Sequence, residues 1–336
     1  MAACPALTMP TDNPTALVSP EPGIALTALP LARYRLDFEV ETPLHLPAYA
    51  GSTLRGAFGA ALRATACMTR QKTCDGCALI HTCPYAVLFE TRPPAGGHAL
   101  QKFTQVPHPY VIEPPQWGER NYAPGERLAF HLVLAGRALD QLALVIWAFV
   151  RAFRRGVGKG DGTARLLGAS HIGATETLIL DDPNGRLAEH DASVPPAPIL
   201  HGDSITLAIH TPLRLQRNGH PIDARALTAR DLLVALVRRI ALIHEFHGHG
   251  PMPLDFAGLA QRAEAIESDK DLRWRDWQRY SNRQQQKIAL GGVVGRWRLS
   301  GDLAPFLPFL HLGQWLHVGK EATFGLGGYR LETCQP

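Results

Sequence analysis

The chain has 336 residues, 46% of them hydrophobic, and carries 34 Lys+Arg against 30 Asp+Glu for a formal net charge of +4. That size buries a sizeable core and suits two domains of a soluble globular protein. No apolar run approaches the roughly 18 residues that span a bilayer, and the small net charge does not by itself select a nucleic-acid partner.

Residues 1–30 are rich in Pro, Ala and Thr and lack both the basic start and the compact apolar run of a signal peptide. They read as a flexible tail on a cytoplasmic protein. Tyr34, Leu36, Phe38 and Val40 then alternate with Arg35, Asp37, Glu39 and Glu41, the period of a half-buried strand. It ends in Thr42-Pro43-Leu44-His45-Leu46, where proline stops the ladder. Gly51 to Arg55 leads into a helix over 56–64, with Ser52 or Thr53 as its N-cap.

Four cysteines follow at once, Cys67, Cys74, Cys77 and Cys83, spaced C-x6-C-x2-C-x5-C. In a reducing compartment such spacing suits a tetrahedral structural Zn2+ stapling an insertion at about 66–105. An iron–sulfur cluster uses the same ligands, but nothing in the sequence points to redox chemistry. Cys4 and Cys334, near the termini, look incidental. Strands are expected at Tyr110 to Ile112 and Arg127 to Leu134, a helix over 138–153, then Gly156-Val157-Gly158-Lys159-Gly160-Asp161-Gly162 and a strand at Arg165 to Leu167. A hairpin turning at Asp182-Pro183-Asn184-Gly185 and a Pro-rich linker at Val194 to Pro198 occupy 174–202.

The plan then repeats. Ile205, Leu207 and Ile209 alternate with polar or small residues and end in Thr211-Pro212-Leu213-Arg214-Leu215, one substitution away from the first copy. A helix over 227–246, strands at Lys287 to Leu290 and Val293 to Leu299, a helix over 303–316, a glycine loop and a strand at Tyr329 to Leu331 complete it. Strand, helix, two strands, helix, strand, twice over, predicts an α+β protein of tandem duplicated ferredoxin-like (RRM-like, βαββαβ) domains, 31–173 and 203–336. His244, His247 and His249 do not have zincin spacing and read as the end of a helix. Arg151, Arg154, Arg155, Lys159 and Arg165 form one local basic cluster, and Arg273, Arg275, Arg279, Arg283 and Lys287 another. Each suits phosphate binding, though a solvated helix or strand face has the same composition.

The loop Gly319-x5-Gly325-x-Gly327 straight after a helix resembles the glycine-rich loop of the repeat-associated RNA-binding (RAMP) superfamily of CRISPR systems. Tyr49 to Gly59, Pro107 to Pro115, and Leu316 to Lys320 with Phe324 to Gly327 are similar to motifs of its precursor-RNA (pre-crRNA) processing endoribonucleases, over about residues 34–333. The resemblance implies two ferredoxin-like folds that bind CRISPR repeat RNA and cut it into guide RNAs (crRNAs) without metal. A relative that binds crRNA without cutting, as a subunit of a CRISPR effector complex with other subunits as partners, is the alternative.

Such cleavage uses the 2′-OH against its own phosphate. It needs a proton acceptor, a proton donor and cations for the developing charge. Among 15 His, two stand out by position. His45 and Tyr49 precede the first helix, where several relatives of the resembled family hold their catalytic pair, with Arg55 as a charge complement. His317 opens the C-terminal glycine loop with Lys320 three residues on, although histidine also suits a helix C-terminus. RNA binding is expected from Arg55, Arg155, Lys159, Arg283, Lys287, Gly319, Gly325 and Gly327, with successive glycine-loop amides turned on phosphate.

Overall fold

A computed structural model describes residues 29–92, 106–195, 203–281 and 286–332. The first half runs β1 (Leu31–Val40), β2 (Leu44–Leu46), α1 (Gly51–Ala66), α2 (Pro84–Phe89), β3 (Tyr110–Glu113), β4 (Arg120–Tyr122), β5 (Arg127–Ala135), α3 (Leu142–Arg155), β6 (Ala164–Ile172) and β7 (Glu176–Leu180). The second runs β8 (Ser204–Leu213), the short β9 (Gln216–Arg217) and β10 (His220–Pro221), α4 (Ala229–His247), α5 (Phe256–Glu264), β11 (Glu267–Arg275), β12 (Gln278–Ser281), β13 (Gln286–Ala289), β14 (Gly292–Ser300), α6 (Leu307–Leu316) and β15 (Tyr329–Glu332).

The first sheet has the order β3-β5-β1-β6-β7 and the second β11-β14-β8-β15, with antiparallel neighbours throughout. Leaving out β7, both place the first strand of the repeat beside its last and its third. That is the ferredoxin-like order in two copies.

The alternation of β1 is realised: Tyr34, Leu36, Phe38 and Val40 are buried and the residues between them are half-exposed. α1 turns Leu54, Phe58, Ala61 and Leu62 inward at helical spacing, and Phe58 stacks on Phe149 of α3 with ring centroids 4.8 Å apart. α4 starts on a capping box between Thr228 and Asp231 and buries Leu232, Leu233, Leu236, Val237, Ile240 and Ile243. The second core does not stop at its own sheet. Leu31, Val111, Val133 and Ala135 of the first sheet belong to it, so the helices of the second half pack beneath the first sheet.

Four expectations change. α1 begins at Gly51 with Ala50 as N-cap and no side-chain cap, so Ser52 and Thr53 lie inside it. The cause is close packing: a Cβ on Gly51 would stand 2.0 Å from the Phe324 carbonyl oxygen. The partner of β14 is the charged β11, whereas the expected Lys287 to Leu290 strand forms a separate hairpin with β12. β11 is an edge strand without a buried face, so it has no alternation to read. The hairpin turns between β6 and β7 at Gly173 to Thr175, and the Asp182–Gly185 turn follows β7 instead.

The cysteine cluster is the fourth. Cys67, Cys74, Cys77 and Cys83 are free and line one cavity of about 20 Å³. Among the described residues, however, no three His, Cys, Asp or Glu side chains are placed to hold a metal ion. The Thr69 hydroxyl lies 3.9 Å from the Cys67 sulfur and 3.6 Å from that of Cys77. The thiols share a cavity without a ligand geometry, and the expected zinc is not supported. No helix among the described residues is long and apolar enough to cross a membrane.

Candidate functional site

The duplication extends to individual hydrogen bonds at two corners, each where a strand end meets a glycine loop. In the first half, the Lys159 amide donates to the His45 carbonyl at 3.2 Å. Gly158, at φ +84°, comes so near that a Cβ would stand 2.2 Å from the same oxygen. Val157 N donates to Gly162 O at 2.9 Å, and Thr163 N to Thr42 Oγ1 at 2.8 Å. In the second half, the Lys320 amide donates to the Arg214 carbonyl at 2.9 Å, and a Cβ on Gly319 would meet that oxygen at 2.6 Å. Val318 N donates to Gly327 O at 3.2 Å, and Gly328 N to Thr211 Oγ1 at 2.8 Å. Val157-Gly158-Lys159 and Val318-Gly319-Lys320 are therefore one motif used twice. His45 and Arg214 occupy the same place in it.

The corners differ in access. At the first, the His45 side chain is 27% exposed, with Nε2 2.8 Å from Glu119 Oε1 and Nδ1 against Asn121 Oδ1. β2 pairs His45 with Asn121 on β4, which fixes the imidazole beside these two residues. Lys159, bridged to His45, is exposed. A part-exposed imidazole held by a carboxylate, with an exposed lysine on the chain segment bridged to it, suits proton transfer next to a stabilised negative charge.

At the second corner, His317 is buried, at 1% exposure, with φ 55°. Its Nδ1 donates to the Leu326 carbonyl at 3.2 Å and its Nε2 lies 3.2 Å from Glu113 Oε1. Arg33 holds the same Glu113 oxygen at 2.6 Å. Burial raises the Glu113 pKa, but the His317 hydrogen bond and the charges of Arg33 and His317 outweigh it and hold the carboxyl at about 2. Tyr49 is buried as well and donates to the Phe324 carbonyl at 2.8 Å. Burial first and the Glu113 charge second push its pKa well up. Neither Tyr49 nor His317 offers a polar atom to solvent in this arrangement.

Residues 207–329 match the family model of the CRISPR-associated endoribonuclease Cas6. That match lies within the second half of the chain. Residues 29–192 match the AF_1859_N model, described as an N-terminal domain. Among solved structures, a Thermus thermophilus Cas6 product complex is 17% identical, with a TM-score of 0.54 over 91% of this chain and 100% of that one. A partial Cas6-RT-Cas1–Cas2 complex is 17% identical with a TM-score of 0.51, covering 90% of this chain and 47% of the other. At such identities the likeness is one of fold, and it agrees with the tandem ferredoxin-like architecture. None of the curated proteins matches the chain in sequence.

The second half uses its glycines for packing. Gly319, Gly325 and Gly327 all have positive φ, at 94°, 87° and 71°. The amides of Lys320, Gly325, Gly327 and Gly328 donate to Arg214 O, Ala322 O, Pro212 O and Thr211 Oγ1, so they are engaged within the protein instead of turned on a phosphate. Arg55 donates to the Tyr110 hydroxyl at 3.2 Å and lies over Phe89 and Phe324 at 5.2 and 5.3 Å, wedged between the halves. Arg155 is exposed at the end of α3, on the same loop approach as Lys159. Lys287 sits on β13 opposite Tyr280, and Arg283 lies outside the described residues. Sequence reasoning missed Glu119, Asn121, Glu113 and Arg33. The repeated Val-Gly-Lys was visible and would have aligned His45 with Arg214.

Proposed function

We propose that the chain binds CRISPR repeat RNA and cuts the precursor transcript into guide RNAs, by attack of a 2′-OH on the adjacent phosphate without a metal ion. The observation that carries this reading is the first corner: a part-exposed His45 oriented by Glu119 and Asn121, with the exposed Lys159 bridged to it through the backbone. His45 takes the 2′-OH proton as the oxygen attacks phosphorus. Lys159 stabilises the negative charge that builds on the phosphoryl oxygens, and Glu119 steadies the imidazole as it becomes cationic. The bond from phosphorus to the 5′-oxygen breaks, and that oxygen takes a proton from water, leaving a 2′,3′-cyclic phosphate and a 5′-hydroxyl. Tyr49 and His317 serve the packing of the second loop, because both are buried and hydrogen-bonded within the protein.

The test is incubation of the protein with end-labelled repeat RNA in excess chelator. The expected result is cleavage leaving a cyclic phosphate, reduced about 10²- to 10⁴-fold in His45→Ala. Tight binding without any cleavage by the natural protein would leave the non-cutting crRNA-binding reading in its place. Undiminished cleavage by His45→Ala would reject the assignment of His45.

A further inference from the structure

The second corner repeats the first with Arg214 in the place of His45, and the proposed reaction leaves it unused. It opens instead on a cleft of about 470 Å³ lined by Arg214, Arg238, Arg239, Gly319, Lys320 and Asp231, among others. The one acid in that set is committed elsewhere: Asp231 pairs with Arg217 at 2.7 Å and closes the capping box of α4. The side chains of Arg238 and Lys320 form no ion pair or hydrogen bond among the described residues. Arg239 donates its Nε to the Leu316 carbonyl at 3.0 Å, while its Nη2 is buried with no acceptor among the described residues. Burial alone pushes the Arg239 pKa down to about 10, so its charge stands in a poorly solvated place. Cations gathered around an open cleft, one with a buried donor that has no acceptor among the described residues, suit an anion.

We infer that this cleft seats a backbone phosphate of the bound RNA, gripped by Arg238, Arg239 and Lys320. The inference rests on the RNA-binding reading above and deepens it. The duplication supplies the logic: the same Val-Gly-Lys corner stands beside a histidine where the phosphate is to be attacked, and beside Arg238, Arg239 and Lys320 where a second phosphate is to be held. Guanidinium and ammonium groups grip phosphate but accept no proton, so this corner is suited to holding where the first is suited to cutting.

The experiment uses the full chain and a repeat RNA made uncleavable by a 2′-deoxy substitution at the cut site, so that binding is read apart from chemistry. Affinity is measured from 50 to 400 mM KCl for the natural protein and for Arg238→Ala/Lys320→Ala. Both changes are at the surface of the cleft, and circular dichroism confirms the fold. The double variant is expected to bind about tenfold more weakly at 150 mM KCl, with a salt slope smaller by about 1 for each phosphate no longer neutralised. Arg239→Lys, which keeps the charge and loses the fork, is expected to weaken binding with a nearly unchanged slope. Natural-protein binding with an unaltered slope and affinity in the double variant overturns the cleft while the RNA reading stands. No binding by the natural protein overturns the RNA reading itself. Thermal stabilisation by ATP that the double variant loses, with RNA affinity unchanged, reassigns the cleft to a free nucleotide and overturns the assignment to RNA.

Discussion

Replacing Glu113 with glutamine keeps the shape of the side chain and removes the charge that Arg33 and His317 share across the two halves. The magnitude follows from the carboxyl itself. Its pKa falls from 4.5 to about 2 on folding, which corresponds to about 3 kcal/mol of stability. Its side chain is only 16% exposed, so solvent screening takes little of this. Because the folded value lies below the unfolded one, the contribution is complete at neutral pH and is lost as pH falls through 4.5 towards 2. The assay is urea denaturation of the natural protein and of Glu113→Gln at pH 7 and at pH 3.5. At pH 7 the variant is expected to be less stable by about 3 kcal/mol, the lower end of what breaking a buried pair costs. At pH 3.5 the gap narrows, because the natural protein has given up part of the same stabilisation. Equal stabilities at pH 7, or a gap that does not narrow in acid, would refute the view that this carboxylate joins the halves electrostatically.

Three further outcomes are expected. Gly327→Ala, whose Cβ would stand 1.8 Å from the Val318 carbonyl oxygen at φ +71°, should cost on the order of 3 kcal/mol in a denaturation midpoint; a loss under half of that would mean the loop yields easily. Tyr49→Phe removes the bond to the Phe324 carbonyl and should cost about 1 kcal/mol in stability, with cleavage at saturating RNA retained; abolished cleavage by a folded variant would return Tyr49 to the chemistry. Glu119→Gln should slow single-turnover cleavage about tenfold through a less well held His45, and a rate equal to the natural one would show that Asn121 alone suffices.

The architecture was legible because both halves write it in side-chain periodicity: β1 and β8 alternate, and α4 carries a continuous apolar face behind a capping box. β11 was not legible, because as an exposed edge strand it needs no apolar face and its charged sequence reads as a loop. Of the proposed site, one member was legible. His45 was selected by its place after a strand and before a helix, but Glu119 and Asn121 reach it from β4 across a long stretch of sequence, a proximity that only the fold creates. His317 stood out for a different reason, its place at the entrance of the glycine loop, and burial sets it apart from His45. No local pattern announces that a histidine at a loop entrance will be covered by Glu113 from the other half. The cysteines mislead in the opposite sense: the spacing is that of a metal knuckle, and the sulfurs do share a cavity, yet they do not converge on one point.

Loop length explains why two corners with the same hydrogen bonds diverged. The first loop returns to its strand from Lys159 to Thr163, and the second takes the longer path from Lys320 to Gly328. The added residues cross to the first half. Phe324 accepts from Tyr49 and comes within 2.0 Å of a Cβ on Gly51, and Gly325 approaches the Ile112 carbonyl so nearly that a Cβ would stand 2.6 Å away. The cost of ordering that longer loop is offset by packing between the halves, and that packing is what buries His317. The short loop makes no such crossing, so His45 and Lys159 stay open to a substrate. Shortening the second loop by deleting Ala322 to Gly325 should therefore loosen the joint between the halves without disturbing the His45–Lys159 bridge. Hydrogen exchange reads both: faster exchange at Ile112 and Tyr329 with unchanged protection at Lys159 is expected, and loss of protection at Lys159 would show that the two corners are not independent.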